Sequence, residues 1–175
     1  MKNLFVFILI LLLFGCTPEN PTPNPNFTIG QSYQGGIIAY IDASGLHGLI
    51  AAPSDQGGTQ WGCSNSGISG ADGTAIYTGA QNTIDIINGC NEVGIAARLC
   101  GDLVLGGYSD WYLPSKDELN KLYLNRVAIG GFAQSDYWSS SEYDVIFVWL
   151  MSFGNNYMHY VDKNAIAFVR AVRSF

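Results

Sequence analysis

The chain has 175 residues, enough for one domain of ordinary size, and its eight basic and fourteen acidic residues give a net charge of −6. The acidic balance and the lack of a lysine- and arginine-rich stripe exclude nucleic acid as a partner and oppose binding to polyanions. The 21 glycines and 10 tyrosines, with few charged residues, are typical of loop-rich extracytoplasmic proteins and of recognition surfaces built on aromatic side chains.

The N-terminus predicts export followed by lipid attachment. The apolar run at residues 4–14 is too short to span a bilayer, which needs about 20 residues, but it has the length of a signal peptide's apolar region. It leads into Cys16, and residues 13–16 resemble the lipobox of bacterial lipoproteins. This resemblance implies that residues 1–15 are a lipoprotein signal peptide and that Cys16 carries the acyl chains. An ordinary secretory signal with an incidental cysteine is the alternative.

A proline- and asparagine-rich tether follows, so that residues 16–26 comprise the lipidated Cys16 and this tether. Four prolines and no strongly apolar residue occur at 17–26, a composition that favours extended polyproline II over a packed core. Residues 27–175 then form one domain held off a membrane. Because Thr17 is not acidic, the lipoprotein resemblance implies the outer membrane, on its extracytoplasmic side.

The first predicted element of the domain is a β-hairpin. Residues 36–41 and 46–52 are rich in β-branched and aromatic side chains, and the turn sequence Asp42-Ala43-Ser44-Gly45 separates them. A long loop at 53–79, rich in glycine, serine and aspartate, comes next. A loop of this length in a compact domain is usually functional or fixed by a cross-link.

Three cysteines remain in the domain besides the anchor, so at least one has no partner within the chain. Cys63 lies in the long loop and Cys90 just after a helix stop, and we favour a disulfide between them. Cys100 falls on the apolar side of a helical pattern and is expected to be a buried hydrophobic residue. No cysteine or histidine spacing of the zinc-finger type occurs, so no metal site of that kind is expected.

Two helical segments are predicted around a break near Gly89. The first covers residues 80–88, and the second begins near Asn91 with one apolar face. That face comprises Val93, Ala96, Ala97, Cys100 and Val104.

A further helix is predicted to begin after Ser115. Ser115 and Glu118 have the spacing of a capping box, in which each side chain accepts a hydrogen bond from the other residue's backbone N–H. Leu119, Leu122 and Tyr123 supply the apolar face of this helix.

The rest of the chain predicts strands. Residues 137–143, 145–153, 157–162 and 165–172 are short aromatic or β-branched runs separated by turn residues. A hairpin, then helices, then an antiparallel sheet predict an α+β domain.

Several ordered motifs resemble the bacterial family known as domain of unknown function 1566, which is related to the C-terminal domain of a collagen-like adhesin. The resemblance covers about residues 33–175. It implies a C-type-lectin-like fold of the formylglycine-generating-enzyme branch, in which the last strand returns beside the N-terminal strands. The motifs are residues 106–119, 137–143 and 168–173, Gly-Ala-Gln-Asn-Thr at 79–83 and Ala-Ala-Arg-Leu-Cys at 96–100.

The candidate binding site is a set of aromatic and amide side chains in the C-terminal sheet, since such side chains stack on sugars or anchor protein partners. The calcium-binding motifs of sugar-binding C-type lectins are absent, so no cofactor is expected, with calcium as a minor alternative. Three tryptophans, Trp111, Trp138 and Trp149, are expected in the core. The candidate residues are Tyr143, Asn155, Asn156, Tyr157, His159 and Tyr160.

The sequence offers no catalytic set. Formylglycine-generating enzymes need a late pair of metal-binding cysteines, and none follows Cys100. His47 has only Ser44 nearby, without an orienting acid, and His159 falls in a predicted strand.

We therefore expect a non-enzymatic, outer-membrane or surface-anchored lipoprotein whose lectin-like domain binds a glycan or protein ligand. The related adhesin domain is associated with sulfated polysaccharides, but without Lys2 the net charge here is −7, which opposes such a ligand. The alternatives are a structural or envelope-assembly lipoprotein and a hydrolase that uses His47.

Overall fold

The computed structural model of the protein describes residues 26–175. The predicted lipidation site at Cys16, and all of the predicted tether except its last residue, lie outside these residues. None of the helices described has the length and apolar character that crossing a bilayer requires.

The domain is α+β, as predicted, and its hairpin, helices and closing strands follow one another in the predicted order. One more helix is present than the two or three expected, because a single turn follows the capped helix. The elements described are β1 (Ser32–Tyr33), β2 (Gly36–Ile41), β3 (Gly48–Ala51), β4 (Gly57–Thr59), α1 (Gly79–Gly89), α2 (Ala96–Gly101), α3 (Lys116–Leu124), α4 (Arg126–Ile129), β5 (Asp136–Glu142), β6 (Phe147–Ser152), β7 (Tyr157–Asp162), β8 (Ala167–Val169) and β9 (Val172–Ser174).

The first sheet joins the two ends of the domain. Its strand order is β1-β2-β3-β9, and all of its pairs are antiparallel. The predicted hairpin forms β2 and β3, and the last strand returns beside β3, with Leu49 opposite Ser174. This closure agrees with the C-type-lectin-like fold that the resemblance implied.

The second sheet has the order β4-β8-β5-β6-β7, with one parallel pair between β5 and β8. Two of our strand assignments were wrong here. The predicted single strand at 165–172 is two strands in different sheets, because the chain changes sheets at Arg170 and Ala171. The long loop contains the short strand β4, whose Gly-Gly-Thr sequence carries no strand signal.

Two hydrophobic clusters cover the two faces of the second sheet. Successive residues of β5 alternate between the clusters, with Trp138 in the one beside α1 and α2 and Tyr137 in the one beside α3. In β6, Leu150 and Met151 divide in the same way. The sheet is therefore buried on both faces over most of its width.

The second predicted helix is shorter than expected. Helix α2 begins only at Ala96, after Gly94 adopts a φ of +69°, a conformation that favours glycine. Ala96, Ala97 and Cys100 are buried as predicted. Val93 and Val104 are 91% and 72% exposed, so including them in the apolar face was wrong.

The capping box at the start of α3 is confirmed. The backbone N–H of Ser115 donates to the Glu118 carboxylate (2.7 Å), and that of Glu118 donates to Ser115 Oγ (3.3 Å). The same carboxylate accepts from the backbone N–H of Tyr77 (2.8 Å), which ties the long loop to α3. Burial raises the pKa of Glu118 above its usual value, although these hydrogen bonds oppose that shift.

A disulfide fixes the long loop to the end of α1. It joins Cys63 and Cys90, the pair favoured from the sequence, with an S–S distance of 2.06 Å. Cys100 is a buried free thiol, and burial raises its pKa, which keeps it in the unreactive thiol form.

Candidate recognition surface

A cluster of four aromatic side chains lies on the α3 side of the second sheet. The Tyr143 and Tyr160 rings stack in parallel with centroids 4.3 Å apart, and Trp149 packs edge-on against both, at 5.4 and 5.7 Å. Phe147 packs edge-on against Tyr160 at 5.6 Å. We call these four residues the aromatic patch.

The β-ladder positions the aromatic patch. Trp149 and Tyr160 lie directly opposite one another in the β6–β7 pair, and Tyr143 lies in the turn between β5 and β6. The turn is held in place because the Asp144 carboxylate accepts the backbone N–H groups of Ile146 and Phe147, each at 2.8 Å. The aromatic patch is thus built on hydrogen-bonded backbone and has little freedom to collapse.

A lysine borders the aromatic patch. The Lys116 ammonium lies 3.9 Å from the centroid of the Trp149 ring, a cation–π contact. Lys116 is the first residue of α3, so the capping box fixes its backbone, and its N–H donates to Ser141 Oγ (2.9 Å). The aromatic patch therefore offers ring faces and two phenol hydroxyls, with one positive charge at its border.

Much of the aromatic patch is open to solvent. Tyr143 and Tyr160 are 50% and 46% exposed, which is unusual for large rings that already contact one another. Trp149 is half-buried, so its predicted place in the core was wrong, whereas Trp111 and Trp138 are buried as predicted. Trp149 faces outward because it alternates with the buried Val148 and Leu150 along β6.

The structure brings together only part of the predicted site. Tyr143 and Tyr160 meet, but Tyr157 and His159 stack with each other (5.0 Å) on the opposite face of β7. Asn155 and Asn156 form the turn between β6 and β7, at the other end of the strands from Tyr143. The six candidates are therefore spread over two faces and both ends of the sheet.

Phe147 and Trp149 belong to the aromatic patch and Lys116 borders it, but all three were absent from the predicted site. Period-two alternation within β6 could have placed Phe147 and Trp149 on one face. Lys116 comes from a helix far away in the sequence, and no local pattern shows that it reaches β6.

The long loop borders the aromatic patch through a buried ion pair. The Lys163 ammonium contacts the Glu142 carboxylate and donates to the backbone oxygen of Ser66 (2.8 Å). The Glu142 oxygens accept from the backbone N–H of Ile68 (3.1 Å each). Since Glu142 precedes Tyr143, this ion pair also positions one of the stacked rings.

His47 lies in an exposed turn of the first hairpin. The nearby Ser44 hydroxyl donates to the Asp42 carboxylate (2.5 Å), and this hydrogen bond lowers the pKa of Asp42. Ser44 is therefore directed toward an acid and is not oriented for activation by the imidazole.

An open apolar groove of about 310 Å³ lies along α1. Ile84 and Ile87 form one wall, and Trp111 and Tyr112 form the other. Asp110 at its rim pairs with Arg173 (2.7 and 2.8 Å), and this pairing lowers the pKa of Asp110. The groove holds none of the predicted site residues.

A close group of metal-ligand side chains also occurs within residues 26–175. It comprises Cys63, Cys90 and Glu92. Both sulfur atoms are bonded to each other in the disulfide, so neither is a thiolate available to a metal ion.

The sequence profile of the Lcl C-terminal domain matches residues 54–173, a segment that contains the whole aromatic patch and α1 to α4. This match is consistent with the C-terminal domain of a collagen-like adhesin, and it is shorter at its N-terminal end than the resemblance seen in the sequence. Comparison with curated proteins finds no relative that matches the chain. Because the match covers more than half of its residues, the chain belongs to the Lcl C-terminal domain family.

Proposed function

We propose that the protein is a lipid-anchored lipoprotein of the bacterial cell envelope whose domain binds a glycan or protein ligand at the aromatic patch, without catalysis. The single observation that carries this proposal is the exposed Tyr143–Tyr160 stack, supported by Trp149 and bordered by Lys116. Membership of the Lcl C-terminal domain family supports an adhesin-like role.

The chemistry of the aromatic patch fits a ligand with a flat apolar face and hydroxyl or amide groups. Aromatic rings bind the C–H faces of sugars and the side chains of protein partners, while the tyrosine hydroxyls add hydrogen bonds. Lys116 is the only cation seen in contact with these rings among residues 26–175, and Asp162 lies on the same face of β7 as Tyr160. This balance favours an uncharged ligand over a polysulfated one.

Substituting Tyr143 with alanine is expected to weaken ligand binding by about tenfold or more, because hot-spot aromatic side chains typically contribute about 2 kcal/mol. Glycan arrays and pulldowns with the full chain would first identify the ligand, and titration would then give the dissociation constant. Tyr157→Ala is the matched control, since Tyr157 is 62% exposed but lies on the opposite face of β7.

Equal affinity of Tyr143→Ala and wild type would place the ligand elsewhere. Equal losses in Tyr143→Ala and Tyr157→Ala would indicate a general effect on the sheet. Absence of any ligand in both screens would argue for the structural, envelope-assembly role.

The anchor is tested separately in cells. Replacing Cys16 with alanine removes the acylated thiol, so the protein is expected to move from the membrane fraction to the soluble fraction. Fractionation followed by immunoblotting measures the change, with Cys100→Ala as the matched cysteine control. Retention of Cys16→Ala in the membrane fraction would refute lipid anchoring at this residue.

A further inference from the structure

Strand β7 is the longest sheet edge among the described residues. The two sheets end in β1, β9, β4 and β7. Strand β1 has two residues, β4 has three, and β9 has three with Val172 bridged to Tyr112, whereas β7 has six residues. Within residues 26–175, β7 pairs only with β6.

The alternation of hydrogen-bonded and non-hydrogen-bonded pairs between β6 and β7 shows which backbone groups of β7 point away from the sheet. The Lys163 N–H donates to the Ile146 oxygen (3.0 Å), and this pair continues the register in which Phe147 lies opposite Asp162. Hydrogen-bonded pairs alternate along an antiparallel ladder, so Val161, His159 and Tyr157 bond to β6. The N–H and C=O groups of Met158 and Tyr160 therefore point outward.

These outward groups have no partner among residues 26–175, where no hydrogen bond outside the strand ladder reaches the backbone of Met158 or Tyr160. Most of the devices that usually protect a sheet edge are also missing from β7, in which Asp162 is the one acidic residue. The strand contains no proline and no lysine, and its register with β6 runs without a bulge from Tyr157 to Asp162. Such an edge is a template for another extended strand.

We propose that β7 pairs with β7 of a second copy of this chain, antiparallel across a two-fold axis, to form a continuous ten-stranded sheet. A two-fold axis perpendicular to the sheet places the equivalent faces of the two copies on the same side of the joined sheet. One residue of β7 must then lie directly opposite the same residue of the partner subunit, and this residue is the centre of the pairing. Centred on His159, the register places Met158 opposite Tyr160 of the partner subunit and satisfies all four outward groups of these two residues.

The His159-centred register is favoured by charge and polarity. It places Asp162 opposite Asn156 of the partner subunit, so the one acid of β7 meets an amide. Tyr157 then lies opposite Val161 of the partner subunit, which pairs an aromatic with a β-branched side chain. Centring on Tyr160 instead would place each Asp162 carboxylate beside Met158 of the partner subunit, an apolar neighbour.

Cysteine cross-linking of the full chain in cells tests this register. In a non-hydrogen-bonded pair the two Cα atoms are about 4.5 Å apart, within the range that a disulfide spans, so His159→Cys is expected to give a band at twice the chain mass. Tyr157→Cys is the matched control. Tyr157 also lies in β7 and is exposed. In this register it lies four residues along the strand from Tyr157 of the partner subunit, so no cross-link is expected.

Two substitutions of Tyr160 separate this inference from ligand binding. In the His159→Cys background, Tyr160→Pro removes only an outward N–H and should abolish the cross-link while sparing the bonds to β6. Tyr160→Ala keeps that N–H and loses the ring, so the cross-link should persist while ligand binding falls. Circular dichroism of both variants checks that the fold is retained.

The inference is overturned by no cross-link in His159→Cys or by equal cross-linking in Tyr157→Cys. It is also overturned by an adduct with a different protein, or by a purified assembly in detergent whose protein mass corresponds to one or three copies. A dimer that survives Tyr160→Pro would show that the copies associate through another surface.

Discussion

Substituting Arg170 with methionine is expected to lower the free energy of unfolding by about 3–5 kcal/mol, because it leaves a buried acid and several carbonyl groups without their donor. The Arg170 side chain is fully buried. It donates to the Asp55 carboxylate (2.7 Å) and to the backbone oxygens of Ala52, Gly130 and Gly131. These groups belong to two separate loops, so one side chain holds both loops at the point where the chain changes sheets.

The Asp55 carboxylate depends on this contact. Its second oxygen accepts the Tyr137 hydroxyl (2.8 Å), and Tyr137 in turn accepts the backbone N–H of Ala133 (2.7 Å). Loss of the guanidinium would leave Asp55, whose side chain is 15% exposed, with a single donor in this network. The charge would then be largely buried and poorly compensated.

Urea denaturation followed by tryptophan fluorescence measures this effect. Arg170→Lys should recover little stability, since a lysine ammonium lacks the planar fork that reaches several acceptors. Arg126→Met is the control, because Arg126 is half-buried, stacks on Tyr123 and donates only to the oxygen of that residue. A loss below about 1 kcal/mol in Arg170→Met, the range of one ordinary hydrogen bond, would contradict this role.

Local sequence patterns were sufficient for the elements that depend on neighbouring residues. The capping box at Ser115 and Glu118 is formed by two side chains three residues apart, and the structure contains both of its hydrogen bonds. The first hairpin follows from β-branched runs around a turn sequence. In each case the stabilising contact is local, so a single sequence carries the signal.

Buried lysine and arginine side chains account for most of the structural features that the sequence patterns did not predict. Lys163, Arg170 and Arg173 are all buried, and Arg170 contacts an acid 115 residues away in the sequence. Charged residues normally mark the surface, so no periodicity rule places them inside. For the same reason the change of sheets at Arg170 looked like the interior of one continuous strand.

The sequence predicted which residue types form the candidate site better than it predicted how those residues are arranged in space. Tyr143 and Tyr160 form the exposed stack, as their aromatic character suggested. Strand alternation alone separates Tyr157 from Tyr160, because residues three apart point to opposite faces. The contribution of Lys116 depends on where α3 packs against the sheet, which is a tertiary contact without a local signal.

Substituting Lys163 with methionine is expected to lower the free energy of unfolding by about 3–5 kcal/mol, because it leaves the Glu142 carboxylate buried without its counter-ion. The Lys163 side chain is fully buried and that of Glu142 is 10% exposed. The ammonium also lies 4.8 Å from the centroid of the Trp61 ring, which would lose its cation. Methionine retains much of the volume of the lysine side chain, so the loss measures charge and hydrogen bonding more than a cavity.

A double-mutant cycle with Glu142→Gln tests whether the two charges act as a pair. Glu142→Gln alone leaves Lys163 buried and unpaired, but the double variant contains neither charge and keeps an oxygen to accept the Ile68 N–H. The double variant should therefore lose about 1–3 kcal/mol less than the sum of the two single losses. Chemical denaturation of the four proteins gives this coupling energy.

The same ion pair should control the mobility of residues 61–71, because it joins the Ser66 oxygen and the Ile68 N–H to the end of β5. In Lys163→Met, hydrogen exchange is expected to increase first in this segment, while the Cys63–Cys90 disulfide limits the opening. Ligand binding should weaken with it, since Tyr143 directly follows Glu142. Additive losses in the cycle, together with unchanged exchange at 61–71, would show that the two charges are stabilised independently and that the disulfide alone holds the loop beside the aromatic patch.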